Sequence, residues 1–194
     1  MTTTVAKASP RPRPEPESAS HLKFRLRALR EESNYSQEKL AEAAALSRGQ
    51  IADIERGRGN LRFSTLDQIA AVLAVDVADL LAPPGTPPRG RSHQEYFIRV
   101  ACNIHRARKA KGLSQEGLAK ISGRFRTYVT RLEALHALPT IAGLEALSKP
   151  LEVSVLDLLQ PVSDEDYEER RKRLEKSQLF RTADTAGDPP PDCE

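Results

Sequence analysis

The strongest constraint on this chain of 194 residues is that it repeats itself without a gap. The stretch Ser36–Glu55, SQEKLAEAAALSRGQIADIE, returns 78 positions later as Ser114–Glu133, SQEGLAKISGRFRTYVTRLE. The same offset pairs Arg30 with Arg108, Leu40 with Leu118, Leu66 with Leu144, and Val75 with Val153. It also pairs Leu80-Leu81 with Leu158-Leu159. A register held over that length means one structural unit built twice. Aromatic residues make up only 5% of the chain and Trp is absent, so Leu, Ile, Val and Ala must fill two small cores.

Within each unit the apolar spacing is helical. Ser36 is a good N-cap, and Leu40, Ala41 and Ala44 fall on one face of the helix that follows. Leu46 and Ser47 form a turn and a second cap, and a helix Arg48–Arg56 buries Ile51 and Ile54. Leu22, Leu26 and Leu29 mark a first helix, expected from about Ser20 to Glu32. A fourth helix runs from Thr65 to Leu73 behind Ser64, and a short fifth over Asp76–Leu81. In the second unit the first helix is expected to be longer, from Glu95 to Lys111. Pro150 should terminate that unit's fourth helix.

An Arg in helix one, then SQEKLA, a turn, IADIERG and VADLL resembles the Cro/cI-type (XRE-like) helix-turn-helix family. The second unit offers Arg108, SQEGLA, VTRLEAL and VLDLL. The resemblance covers about two-thirds of the chain. It implies an all-α fold of two tandem five-helix, lambda-repressor-like DNA-binding domains joined by a Pro-rich linker. The expected boundaries are a disordered arm at 1–20, domain one at 21–82 (motif 36–56), a linker at 83–91, and domain two at 92–160 (motif 114–134). A charged helix and disordered tail follow at 161–194. The linker prolines favour an extended spacer, which at ~3.1 Å per residue would span on the order of 30 Å.

The resemblance assigns roles to residues. Arg30 with Glu55, and Arg108 with Glu133, are implied to be ion pairs that fix each reading helix; a bidentate guanidinium–carboxylate contact suits that task. Gln37 and Gln115 are implied to meet backbone phosphates with the helix N-terminal amides. Arg48, Gly49, Gln50 and Asp53 align with base-reading positions; Arg suits guanine, Gln adenine, and Asp can accept from cytosine. In the second unit those slots hold Arg126, Thr127, Tyr128 and Arg131. Tyr128 could equally pack on its own domain. Arg56, Arg58 and Arg62 suit phosphates.

The second unit departs from the pattern at three places. Phe125 takes the cap slot that Ser47 fills, Arg124 replaces the turn apolar, and Leu135 replaces the glycine after the reading helix. Charge also differs. Residues 21–82 carry nine basic and nine acidic residues, whereas 92–160 carry ten and six, so the second unit attracts phosphate more strongly. The segment DEDYEERRKRLEKSQLF leads with acids and ends with bases, which suits a helix dipole. Packing on domain two, pairing with a second chain, and solvation all remain open for it.

Two cysteines without metal or redox spacing, no nucleophilic or phosphate-cradling constellation and four scattered His give no enzyme and no cofactor. No apolar run approaches the ~18 residues of a membrane span, and a cytoplasmic location is expected. The expected function is a sequence-specific double-stranded DNA-binding regulator, by default a repressor, acting as one chain on two half-sites or as a homodimer. The alternative is an adaptor or antitoxin-like protein, with domain one on DNA and domain two or the tail on a partner protein.

Overall fold

A computed structural model of the chain describes residues 17–58 and 61–176. The expected disordered arm, apart from 17–20, and the tail after 176 lie outside the described residues. Ten α-helices and one 3-10 helix form the described part. The first unit holds α1 (Glu17–Glu32), α2 (Gln37–Ala43), α3 (Arg48–Glu55), α4 (Phe63–Val72) and a 3-10 helix, Val77–Leu80. The second holds α5 (Tyr96–Ala110), α6 (Gln115–Ile121), α7 (Arg126–Glu133), α8 (Ile141–Leu151) and α9 (Val155–Leu158). The helix α10 (Asp164–Lys176) follows. Residues 17–20, expected in the arm, already belong to α1. The first helix of the second unit is not the longer one, at 15 residues against 16. Pro150 sits one residue inside the end of α8, and Glu152 then turns left-handed.

The backbone repeats as faithfully as the sequence. Left-handed residues recur at the 78-residue offset: Asn34 with Gly112, Ala45 with Gly123, Gly57 with Leu135, and Ala74 with Glu152. Each marks the end of a helix, where a positive φ lets the chain reverse. The caps recur too. Ser36 Oγ accepts from Lys39 N at 3.1 Å, and Ser114 Oγ accepts from Gly117 N at 2.9 Å.

The expected spacer does not hold the units apart. One continuous apolar cluster runs from Leu22 in the first unit to Leu159 in the second. Phe63 N donates to Pro139 O, and Ile141 N donates to Leu61 O, both at 3.2 Å. These bonds form an antiparallel bridge between Arg62 and Thr140. Residues 61 and 63 are the counterparts of 139 and 141, so exchanging the two units maps one bond onto the other. This is the signature of an isologous contact about a local two-fold axis.

Asymmetric contacts fasten that bridge. The Phe63 ring, fully buried at the start of α4, stacks on Tyr96 of α5 with centroids 5.8 Å apart. Arg99 of α5 donates through Nη2 to Asp76 Oδ2 at 2.9 Å and through Nη1 to Leu159 O at 2.8 Å. Asp76 also caps the 3-10 helix by accepting from Ala78 N at 2.9 Å, and it accepts from Ser92 N at 3.3 Å. The linker is clasped as well: Arg89 N donates to Asp79 Oδ2 at 3.1 Å, and Arg89 Nη1 to Gln160 Oε1 at 2.9 Å. Prolines stiffen this segment, but two buried apolar faces meeting outweigh its preference for extension.

The charged segment takes the first of its three open alternatives. Ser163 Oγ accepts from Asp166 N at 3.2 Å and starts α10. Val162 and Tyr167 then pack on Ile98, Ala101 and Cys102 of α5. Gln94 clamps the entry, donating to Val162 O and accepting from Val162 N, each at 3.0 Å. Leu135 belongs to the same cluster. Its left-handed backbone, φ 63°, is strained for a residue with a side chain. Burial under α10 offsets that strain, which explains why this unit has no glycine there.

Burial holds the Cys102 thiol above its ordinary range. Removing the Tyr167 ring should uncover it. In a Cys193→Ser background, Tyr167→Ala is expected to let Cys102 react with a maleimide at least tenfold faster than the parent. Unchanged labelling would show that α10 does not shield this face.

Candidate nucleic-acid interface

Each unit presents a pair of short helices joined by a tight turn, with the second helix outermost. In the first, α3 buries Ile51, Ala52 and Ile54 and exposes Arg48, Gly49, Gln50 and Asp53. In the second, α7 buries Val129 and Leu132 and exposes Arg126, Thr127, Thr130 and Arg131. Helical spacing accounts for both faces: the apolar residues fall three or four apart and the polar ones lie between them.

An ion pair braces each outer helix against the first helix of its unit. Arg30 Nε donates to Glu55 Oε1 at 2.6 Å, and its Nη1 donates to Tyr35 O at 2.8 Å. Arg108 repeats this with Glu133 Oε1 at 2.6 Å, Glu133 Oε2 at 2.8 Å and Leu113 O at 2.7 Å. The second brace is the more elaborate. His105 Nδ1 lies 3.1 Å from Glu133 Oε2, and Arg170 of α10 donates to Glu133 O. Burial pushes the Glu133 carboxyl up, but hydrogen bonds from Arg108, Gln115 and His105 outweigh it and hold the group at about 2.

Gln37 and Gln115 join these braces. Gln37 Nε2 donates to Glu55 Oε2 at 2.7 Å, and Gln115 Nε2 to Glu133 Oε2 at 3.0 Å. Gln115 Oε1 also accepts from Thr130 Oγ1 at 3.0 Å. Each carboxamide therefore ties the start of one helix to the end of the next. That support role was not anticipated from the sequence, although the recurrence of Ser-Gln beside Arg and Glu at one offset carried the signal.

Several expected base readers are engaged locally. Gln50 Oε1 accepts from Ser47 N at 2.8 Å while Ser47 Oγ accepts from Gln50 N at 3.1 Å, a closed capping box. Gln50 as a whole remains exposed. The Asp53 carboxylate accepts from Arg56 Nη1 at 3.4 Å and lies 3.9 Å from Arg58 Nη1. These exposed contacts are weak and exchange readily with a ligand. Arg131 Nη2 donates to His136 O at 3.1 Å, and Arg126 lies 3.9 Å from Glu116. Arg62 sits at the bridge between the units, on its exposed side.

Tyr128 packs partly on its own unit. It is half-buried, its hydroxyl lies against Gly143 of α8, and Arg124 covers its ring at 5.8 Å. A Cβ at Gly143 would fall 2.3 Å from the Tyr128 hydroxyl, so this glycine makes room for the ring. Arg124 also donates to Ala142 O at 3.0 Å, which explains how an arginine replaces the turn apolar. Phe125 has no such account. It starts α7 with no side-chain cap, which forfeits about 1 kcal/mol.

No His, Cys, Asp or Glu cluster among the described residues could hold a metal ion. No helix among them is long and apolar enough to cross a membrane.

Comparison with known proteins follows the same division. The family described as Helix-turn-helix matches residues 26–80 and again 104–158, the same 78-residue offset. The chain is 44% identical over 57 residues to the immunity repressor protein of Bacillus phage phi105, covering 29% of this chain and 40% of that one. It is 36% identical over 63 residues to a Neisseria hypothetical transcription factor of Neisseria meningitidis serogroup B, covering 32% and 59%. It is 46% identical over 50 residues to control protein C.BamHI of Bacillus amyloliquefaciens, covering 26% and 62%. The chain thus spans between 40% and 62% of the length of these relatives. No solved structure matches it. With both matched segments together covering more than half of its residues, the chain belongs to the helix-turn-helix family.

Proposed function

We propose that the chain is a sequence-specific double-stranded DNA-binding transcriptional regulator that represses by covering a promoter. One chain reads two half-sites, with α3 in one major groove and α7 in the next. The observation that carries this reading is the reciprocal Leu61–Ile141 and Phe63–Pro139 bridge. The bridging segments lie at equivalent positions a few residues beyond the ends of α3 and α7, which supports a two-fold relation between those two helices. Two-fold-related reading helices match the inverted half-sites of a duplex, spaced by one helical turn. The names of the relatives, which include a repressor and a transcription factor, agree with it.

In this reading Arg48 and Gln50, both exposed, meet base edges from α3. Arg126, Thr127 and Arg131 do so from α7. Arg56 and Arg58 bind phosphate, with Asp53 exchanging its contact with them for a base or a water. Gln37 and Gln115 hold the braces and offer their remaining N–H to the backbone.

The test uses the duplex enriched from a randomised pool. Arg48→Ala/Gln50→Ala and Arg126→Ala/Arg131→Ala should each weaken binding by at least tenfold at moderate salt. Loss from the first pair alone would favour an adaptor, in which the second unit docks a protein partner.

A further inference from the structure

Three large apolar residues are exposed among the described residues, and two of them bracket one turn of the second unit. Ile121, the last residue of α6, is 56% exposed, and Phe125, immediately before α7, is 79% exposed. Their counterparts in the first unit are Ala43 and Ser47. The replacement of Ser47 by Phe125 removes a cap and gains no packing among the described residues. A bulky ring held in water at the entrance of a reading helix is unexplained by the fold. The third exposed residue, Phe24, lies on α1, away from both turns.

The surroundings indicate what such a ring can meet. Lys120 and Arg126 flank the turn and are exposed, and Glu116 is the acid nearest to Arg126, at 3.9 Å. An apolar centre rimmed by cations complements a major groove, where thymine 5-methyl groups lie between two rows of phosphates. A protein-docking face would instead ask for a larger patch, since specific interfaces bury on the order of 800 Å² per partner.

We infer that Phe125, with Ile121 beside the same turn, is a specificity-determining residue that reads thymine methyl groups in the half-site under the second unit. This rests on the proposed DNA-reading function and deepens it. The two half-sites are then chemically unlike. The first is read by Arg48 and Gln50 through hydrogen bonds. The second is read in part by apolar contact, which hydrogen-bond matching alone does not supply. An operator of this kind sets the chain in one orientation, because turning it around would leave Phe125 over the wrong half.

The experiment replaces thymine by deoxyuridine, one position at a time, in the enriched duplex, and compares the full chain with Phe125→Ser. Removing one contacted methyl should weaken the full chain by about fourfold. The Phe125→Ser chain should bind the thymine duplex several-fold more weakly and be indifferent to uracil at those positions. Its melting temperature should rise, because serine restores the cap seen at Ser47, so a binding loss cannot be assigned to unfolding. Uracil-insensitive binding of the full chain, or unchanged affinity of Phe125→Ser, overturns the inference while leaving the DNA-reading function standing. Absence of any preferred duplex removes both. A Phe125→Ser chain that keeps its DNA affinity but loses a protein partner also overturns it, and assigns the patch to protein docking.

Discussion

Glu133→Gln is expected to destabilise the chain by about 3–5 kcal/mol at neutral pH, the effect of leaving one member of a buried ion pair without its partner. The side chains of Arg108 and Glu133 are each 5% exposed, so water cannot replace the lost charge. The carboxamide would keep one oxygen for Arg108, Gln115 and His105 to share, and its NH2 would turn a donor toward donors in place of the second carboxylate oxygen. The carboxyl, ordinarily near 4.5, sits at about 2 in the folded chain. The folded state therefore binds this proton less readily than the unfolded state does, and acid favours unfolding. The stabilisation is fully present above ~4.5 and is lost as the pH falls toward about 2, an amount near 3 kcal/mol. Denaturant titrations at several pH values check this directly. The gap between the parent and Glu133→Gln should be widest at pH 7 and should close as the pH falls below ~3. A gap that stays constant with pH would show that the pair does not carry the effect.

Phe63→Ala should cost about 3–5 kcal/mol, in the range for deleting a large buried side chain. Its wider effect follows from where the ring stands. Phe63 begins α4, donates its backbone N–H across the bridge, and stacks on Tyr96 of the other unit. It is thus shared by two cores that the sequence presents as separate. The parent should unfold in one transition because a single apolar cluster spans both units. Phe63→Ala should split that transition into two, with the units unfolding at different denaturant concentrations. Circular dichroism at 222 nm measures both outcomes. A single transition shifted by less than about 1 kcal/mol would mean that the bridge does not join the units.

The features held within one unit could be read from the sequence because the physics that fixes them is local. Ser36 and Ser114 announce helix starts, the spacing of Ile51 and Ile54 announces a buried stripe, and Gly57 announces a left-handed stop. Each depends on residues a few positions apart. The recurrence of Arg30 and Glu55 as Arg108 and Glu133 carried a longer-range contact, since an offset that preserves both members preserves their meeting. The arrangement of the two units could not be read in this way. An offset states how many copies there are and nothing about which faces meet. Pro and Gly in 83–91 pointed to an extended spacer, whereas the decisive residues, Phe63, Asp76, Tyr96 and Arg99, are unremarkable until folding brings them together.

At the interface the same division holds. Arg48 and Gln50 on α3, and Arg126 and Arg131 on α7, are all exposed. Tyr128 turned inward because Gly143, fifteen residues later, leaves space for its hydroxyl. Leu135 departs from its glycine counterpart because α10, which has no equivalent in the first unit, supplies a cover. Both exceptions depend on partners distant in sequence. Phe125 is the opposite case, since no partner among the described residues accounts for it.

The central claim, that one chain presents two reading helices about its own two-fold axis, is tested most directly by footprinting the full chain on its enriched duplex while measuring stoichiometry. The account predicts one chain per duplex, protecting two unlike, inverted half-sites centred about 10 base pairs apart. Protection of a single half-site by one chain, or two half-sites protected only when two chains bind, would contradict it.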